Sequence, residues 1–156
     1  MDHIDIERIL SEWRLLCPGR LQLVARTAFG ELFLRDETGA IFWLNTTVGK
    51  LIWVASSEPE FRELAETKGK RDEWFAEPDV EAVKGRGLNP TRSQCIAFPI
   101  PLVFAESGSS NEPYVVDLYE CVSFLGDLHR QISSCPDGTT ARLHVQPPKS
   151  ASSRQA

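Results

Sequence analysis

The sequence lacks any apolar run that approaches the roughly 20 residues needed to cross a bilayer. Its first 16 residues are charged throughout, which argues against a secretory signal. No two of its four cysteines stand in a C-x-x-C spacing, which disfavours a zinc ribbon or a thioredoxin-like motif. These absences predict a cytoplasmic protein with reduced thiols and no membrane contact.

Basic residues are also missing from a long stretch. No Lys or Arg stands between positions 93 and 129, and the whole chain has a net charge of -5. Direct binding to nucleic acid is disfavoured, because phosphates are bound by clusters of Lys and Arg. An acidic surface instead suits a basic protein partner. The candidate partner-binding residues are Asp36, Glu37, Glu106, Asn111, Glu112, Asp117, Glu120 and Asp127.

The apolar pattern predicts the order of the secondary structure. Ile6, Ile9, Leu10, Trp13 and Leu16 have helical spacing and predict a first helix. Strand-like segments with turn residues between them then predict an antiparallel meander. The predicted elements are a helix over 4–16, strands over 21–25, 31–35, 40–44 and 50–54, helices after position 57, a strand over 95–98, a helix over 117–134 and an edge strand over 141–145.

This order predicts a single α+β domain over residues 1–146, with helices packed on one face of a mainly antiparallel sheet. Residues 147–156 have no apolar anchor and are predicted to form a disordered tail. Trp43 and Trp53 lie on neighbouring predicted strands, so one of them is a candidate for an exposed aromatic interface.

The clearest element is the last helix. Asp117, followed three residues later by Glu120, predicts a capped start. His129 falls in the middle of an apolar arc formed by Leu118, Cys121, Val122, Leu125, Leu128 and Ile132. Unpaired burial of a polar ring is costly, so we expect His129 to find a hydrogen-bond partner on the sheet or within residues 98–111.

No motif for catalysis or cofactor binding is present. The Gly-Lys pairs at 49–50 and 69–70 lack the rest of a P-loop. Asp127 and His129 point to opposite sides of a helix and do not converge on one ion. The sequence therefore predicts a non-enzymatic protein without cofactor or metal. The alternative is a small-ligand-binding or catalytic domain that uses His129 with Gln131 and Asn111.

Several motifs, taken in order, resemble a bacterial family. They are Trp13; FGELFLRDETG with Gly30 and Gly39; Trp74; GLNPTRSQCIAFPIP with Cys95 and Pro101; and SFLGDLHRQISSCPDGT with Gly126, His129, Gln131 and Gly138. The chain resembles the domain at the C-terminus of type VI secretion DNase-immunity proteins, over roughly residues 8–145. One departure is VFAESGSSN at 103–111, where the family has a Gly-Gly pair before an Asn.

The resemblance implies a function as an immunity protein. Such a protein binds the toxin of its own cell in a stoichiometric complex and blocks the active site or the substrate groove. A DNase toxin carries a basic groove, to which an acidic inhibitor surface is complementary. The implied partner is therefore a cognate effector protein, and the motif residues are implied to be structural.

Overall fold

The computed structural model describes residues 4–99, 101 and 112–133. The predicted strand at 141–145 and the predicted tail lie outside these residues. The elements in chain order are α1 Ile6–Ile9, β1 Gln22–Arg26, β2 Leu32–Arg35, β3 Ile41–Asn45, β4 Lys50–Ala55, α2 Glu58–Ala65, α3 Lys68–Phe75, α4 Glu77–Gly85, β5 Gln94–Ala97, β6 Tyr114–Asp117 and α5 Leu118–Ile132.

The predicted meander is confirmed. Strands β1 to β4 form one antiparallel sheet in sequence order. The β2–β3 turn is closed by the Asp36 carboxylate, which accepts hydrogen bonds from the backbone N–H of Thr38 (2.9 Å) and Ala40 (3.1 Å). Gly39 follows with φ 93°, a conformation that favours glycine. Local turn chemistry therefore sets the register of this hairpin.

Helices cover both faces of the sheet, whereas the sequence predicted one covered face. Leu32, Phe33 and Leu34 are consecutive and all fully buried, so neither face of β2 is exposed to solvent. One face packs with α1 and α5 around Leu32 and Leu34. The opposite face packs with α2 and α3 around Phe33. The predicted class, a single α+β domain with an antiparallel meander, is confirmed.

Strands β5 and β6 form a separate antiparallel hairpin, of which the sequence predicted only the first strand. The Arg26 guanidinium donates to the Gln94 carbonyl (2.6 Å), and the Ile96 N–H donates to the Ala28 carbonyl (2.7 Å). These bonds attach the hairpin to the end of β1. The segment YVVD of β6 ends at Asp117, which is also the N-cap of α5. The capping signal at Asp117 therefore drew attention away from the short strand that precedes it.

The predicted first helix over 4–16 is wrong in length, since α1 ends at Ile9. Turns follow it, and they bury Trp13 while leaving Leu15 84% and Leu16 39% exposed. The Trp13 indole N–H donates to the Val122 carbonyl (2.8 Å) in α5. Trp13 is therefore held by a tertiary contact from a turn, and the continuous helix that local spacing favoured does not form.

Helix α5 agrees with its prediction. The Asp117 carboxylate accepts from the Glu120 N–H (3.0 Å) at the first turn. The buried face consists of Leu118, Cys121, Val122, Gly126 and Leu128. Within the described part of the chain, no helix is long and apolar enough to span a bilayer.

Candidate functional site

A cavity of about 730 Å³ lies where the meander, α3, α4, the β5–β6 hairpin and α5 meet. The turn between β1 and β2 contributes Phe29 and Glu31, and β3 contributes Trp43. The hairpin contributes Tyr114, and α5 contributes Phe124. Its volume falls within the roughly 300–1,000 Å³ that is usual for ligand pockets.

The wall of the cavity is acidic. Its carboxylates are Glu31, Glu73, Asp79, Glu112 and Glu120, and its one basic side chain among the described residues is Arg86. Arg86 forms an exposed ion pair with Glu112, and Lys70 outside the wall pairs with Glu73 at 3.1 Å. The surplus of negative charge makes the cavity attractive to cations.

Glu31 is the most constrained of these carboxylates. Its Oε1 accepts a hydrogen bond from the indole Nε1 of Trp43 at 2.9 Å, and the Thr47 hydroxyl also donates to the carboxylate. Burial raises the pKa of Glu31 to about 7, against the lowering effect of those two hydrogen bonds. A carboxyl group in this state changes its charge near neutral pH.

Aromatic rings form much of the apolar wall. Phe29 and Phe98 are stacked, with ring centroids 6.3 Å apart and planes 9° apart. Tyr114 is 43% exposed, and burial raises the pKa of its phenol. Aromatic faces beside carboxylates favour a ligand with an apolar body and a positive charge.

Cys95, next to the wall residue Ile96, is not activated as a nucleophile. Cys17, Cys95 and Cys121 are free and buried. A hydrogen bond with Cys121, together with burial, raises the pKa of Cys95 far above its usual range, so that Cys95 stays a thiol. Cys135 lies outside the described residues. Within the described residues, no group of three or more His, Cys, Asp or Glu is placed to hold a metal ion.

His129 lies away from the cavity wall. Its Nε2 donates to the Thr46 carbonyl (3.0 Å), and its ring lies 5.7 Å from that of Trp13. Burial lowers the pKa of His129, which favours the neutral imidazole. The expected partner on the sheet is therefore present, in the β3–β4 turn. Gln131 donates to Asp127 (3.0 Å), and Asn111 lies outside the described residues, so the alternative site of His129, Gln131 and Asn111 stays a prediction.

The structure brings two of the eight predicted partner-binding residues, Glu112 and Glu120, to the cavity. The Asp36 carboxylate closes a turn and neighbours exposed Glu37, while Asp117 caps α5. Asp127 pairs with Arg130 at 2.8 Å on the helix surface. The remaining two, Glu106 and Asn111, lie outside the described residues.

The motif residues mostly lie at close contacts in the core. A Cβ on Gly30 would lie 3.3 Å from the Cys95 sulfur, and one on Gly126 would lie 2.7 Å from the Glu12 Cβ. Trp74 is buried against Phe33 and Phe61. The remaining positions are Gly39 in its turn, Pro101 on the cavity wall and Gly138 outside the described residues.

A second exposed feature is apolar. Trp53 is 57% exposed on β4, which is an edge strand of the sheet among the described residues, whereas Trp43 is only 9% exposed. Ile52 (37%) and Val48 (47%) are exposed on and before the same strand. We call Val48, Ile52 and Trp53 the edge patch. Core packing is the default for the tryptophans and holds for Trp13, Trp43 and Trp74, whereas Trp53 is the one candidate of the two that is exposed.

Sequence reasoning missed Glu31, Glu73 and Asp79. For Glu31 a signal was present in the predicted strand over 31–35. Alternate residues of a strand point to the same face, so Glu31 points to the same side as the apolar Phe33. For Glu73 and Asp79 no local signal existed, since exposed carboxylates on short helices are common.

No protein-family model, no curated protein and no solved structure matches this chain. The resemblance to immunity proteins therefore depends on the sequence motifs alone.

Proposed function

We propose that this protein is a cytoplasmic immunity-type inhibitor that neutralises a basic toxin, such as a secreted nuclease, by stoichiometric binding. The resemblance of the sequence motifs supports the class of protein. In this proposal the protein is a binding module and not an enzyme.

The observation that carries the proposal is the charge of the cavity wall, whose five carboxylates remain in excess over the two cations, Arg86 and Lys70, that pair with Glu112 and Glu73. A nuclease that binds DNA presents a basic groove, and complementary charge speeds association and excludes acidic partners. Two of the carboxylates of the wall, Glu73 and Asp79, lie on the consecutive helices α3 and α4.

The edge patch adds a second kind of support. Tryptophan is enriched among the residues that dominate binding energy, and an exposed edge strand offers unpaired backbone groups. Trp53 has both properties, because it is exposed and stands on β4.

The proposal is tested with a basic toxin-domain protein encoded beside the gene for this chain, which the proposal predicts to exist. Calorimetry should give a 1:1 complex that weakens as salt is added, and the complex should suppress the nuclease activity. Glu73→Lys combined with Asp79→Lys should weaken binding at least tenfold. The control, Glu63→Lys with Glu66→Lys, reverses two exposed charges outside the cavity and should bind like the wild type. The absence of a complex, or a complex that leaves the nuclease active, would refute the function.

A further inference from the structure

We propose that the cavity takes the arginine side chain of a basic partner, with Glu31 as the counter-ion of its guanidinium group. This inference rests on the proposed function, because the arginine that occupies the cavity is taken to belong to the basic protein partner. It goes further in naming the anchoring group and the residue that receives it.

The position of Glu31 is set from three directions. Its backbone N–H donates to the Thr27 hydroxyl (3.2 Å), and its carbonyl accepts from the Thr27 N–H (2.9 Å). Trp43 and Thr47 donate to its carboxylate. A carboxylate held in this way loses little conformational entropy when a ligand binds.

The surroundings of Glu31 distinguish between kinds of ligand. An anion is disfavoured by the five carboxylates of the wall. A neutral apolar molecule would leave a partly buried acid without a new partner. A cation compensates the burial of Glu31 and has the stacked rings of Phe29 and Phe98 available for its apolar stem.

The aromatic wall favours guanidinium over ammonium. A guanidinium group is planar, stacks on aromatic faces and is more weakly hydrated than an ammonium group. The cavity, at about 730 Å³, has room for an arginine side chain together with the backbone that carries it. An arginine on a protruding loop of the partner therefore fits both the charge and the shape.

A cation should bind the ionised form of Glu31, so that binding is stronger above its pKa of about 7 than below it. Other titratable groups of the wall are Glu73 on α3, Asp79 on α4, Arg86 after it, Glu112 and Tyr114 at the hairpin and Glu120 on α5. His129, which contacts Thr46 beside the wall residues Asn45 and Thr47, is a further titratable group, and burial lowers its pKa. A Glu31 variant is needed to separate these contributions.

The test uses Nα-acetyl-arginine amide as the probe and Nα-acetyl-citrulline amide as its neutral isostere. Binding is followed by the NMR signal of the Trp43 indole N–H, the group that donates to Glu31. The arginine probe should bind at pH 8, lose roughly tenfold or more in affinity at pH 5.5, and exceed the citrulline probe at least tenfold at pH 8. Two results with the wild-type protein alone would overturn the inference. One is equal binding of the two probes, and the other is an affinity for the arginine probe that does not change with pH.

Glu31→Gln keeps an acceptor for Trp43 and removes the charge, so it should abolish the preference for the arginine probe. Glu63→Gln removes an exposed carboxylate outside the cavity and should behave like the wild type. If the toxin-domain protein binds but Glu31→Gln leaves both probe and protein binding unchanged, the inference alone fails. If the arginine probe binds through Glu31 but no basic partner is bound, the proposed function alone fails.

Discussion

Glu31 and His129 shift the pH dependence of stability in opposite directions. The folded protein raises the pKa of Glu31 from 4.5 to about 7, so the folded state holds a proton that the unfolded state releases. Stability therefore falls as pH rises from about 4.5 to about 7. The folded protein lowers the pKa of His129, so stability falls as pH drops below about 6.5. Between about pH 4.5 and 6.5 the two effects therefore oppose each other.

Glu31→Gln should therefore stabilise the protein at pH 8. The expected gain in the free energy of unfolding is on the order of 2–3 kcal/mol, because the variant avoids a buried charge. At pH 4.5 the gain should nearly vanish, since Glu31 is then protonated in the folded state. Urea unfolding at both pH values measures the difference, with Glu37→Gln as the control of equal charge. A variant no more stable than the wild type at pH 8 would show that Glu31 ionises freely.

At the scale of elements, α5 is held by contacts with distant parts of the chain, two of which involve its middle and its last turns. Its middle meets the N-terminal segment, where Trp13 donates to Val122 and Gly126 allows close approach to Glu12. Its last turns meet the β3–β4 turn, where His129 donates to Thr46. The helix therefore links the meander to the N-terminal segment and does more than cover one sheet face.

Gly49 tests the second attachment. It has φ 77°, and a Cβ there would lie 2.6 Å from His129 Nδ1. Gly49→Ala should cost roughly 2–3 kcal/mol, because backbone strain and a clash with His129 add. Gly39→Ala, at φ 93° in open space, should cost only the strain, about 1 kcal/mol.

A double-mutant cycle separates the two costs. His129→Ala alone should cost about 1–3 kcal/mol through the lost hydrogen bond. In that background Gly49→Ala should cost no more than Gly39→Ala, as measured by urea unfolding. Equal costs for both glycine variants in the wild type would mean that the β3–β4 turn moves freely away from α5.

At the scale of the whole molecule, two apolar cores lie on opposite faces of one sheet. The core beside α1 and α5 contains Cys17, Cys95 and Cys121. The other contains an aromatic cluster in which Phe33 contacts Phe61 at 4.9 Å and Trp74 at 5.5 Å between ring centroids. The strands β2 and β3 contribute to both cores, so we expect the two to unfold together.

Thiol labelling should report this cooperativity. In a Cys135→Ser variant, the three remaining thiols are at most 7% exposed, and burial raises the pKa of Cys17 to about 11. Labelling by a disulfide reagent at pH 8 should therefore require unfolding. The free energy of opening calculated from the labelling rate should equal the free energy of unfolding found with urea. If the rate of labelling equals the rate at which tryptophan fluorescence is lost, the two cores unfold together. Fast labelling of the native variant would instead reveal local opening around α5.

Much of the fold was predictable because its signals are local. The meander followed from strand alternation and turns such as the one closed by Asp36, and α5 followed from its cap at Asp117 and its apolar arc. The first helix was overextended because Trp13 is held by Val122, a partner 109 residues away. The strand β6 was missed because it pairs only with β5, across an intervening segment.

The sequence by itself determined the α+β class, the meander and the buried face of α5, since periodicity and capping act within a few residues. Only the tertiary structure decided that helices cover both sheet faces, that Trp53 is exposed and that Glu31 shares a cavity with Glu112 and Glu120. These carboxylates are far apart along the chain, and their proximity depends on how separate layers pack. Because the charge of a site is the sum over such neighbours, no local pattern could have shown where the acidic cavity forms.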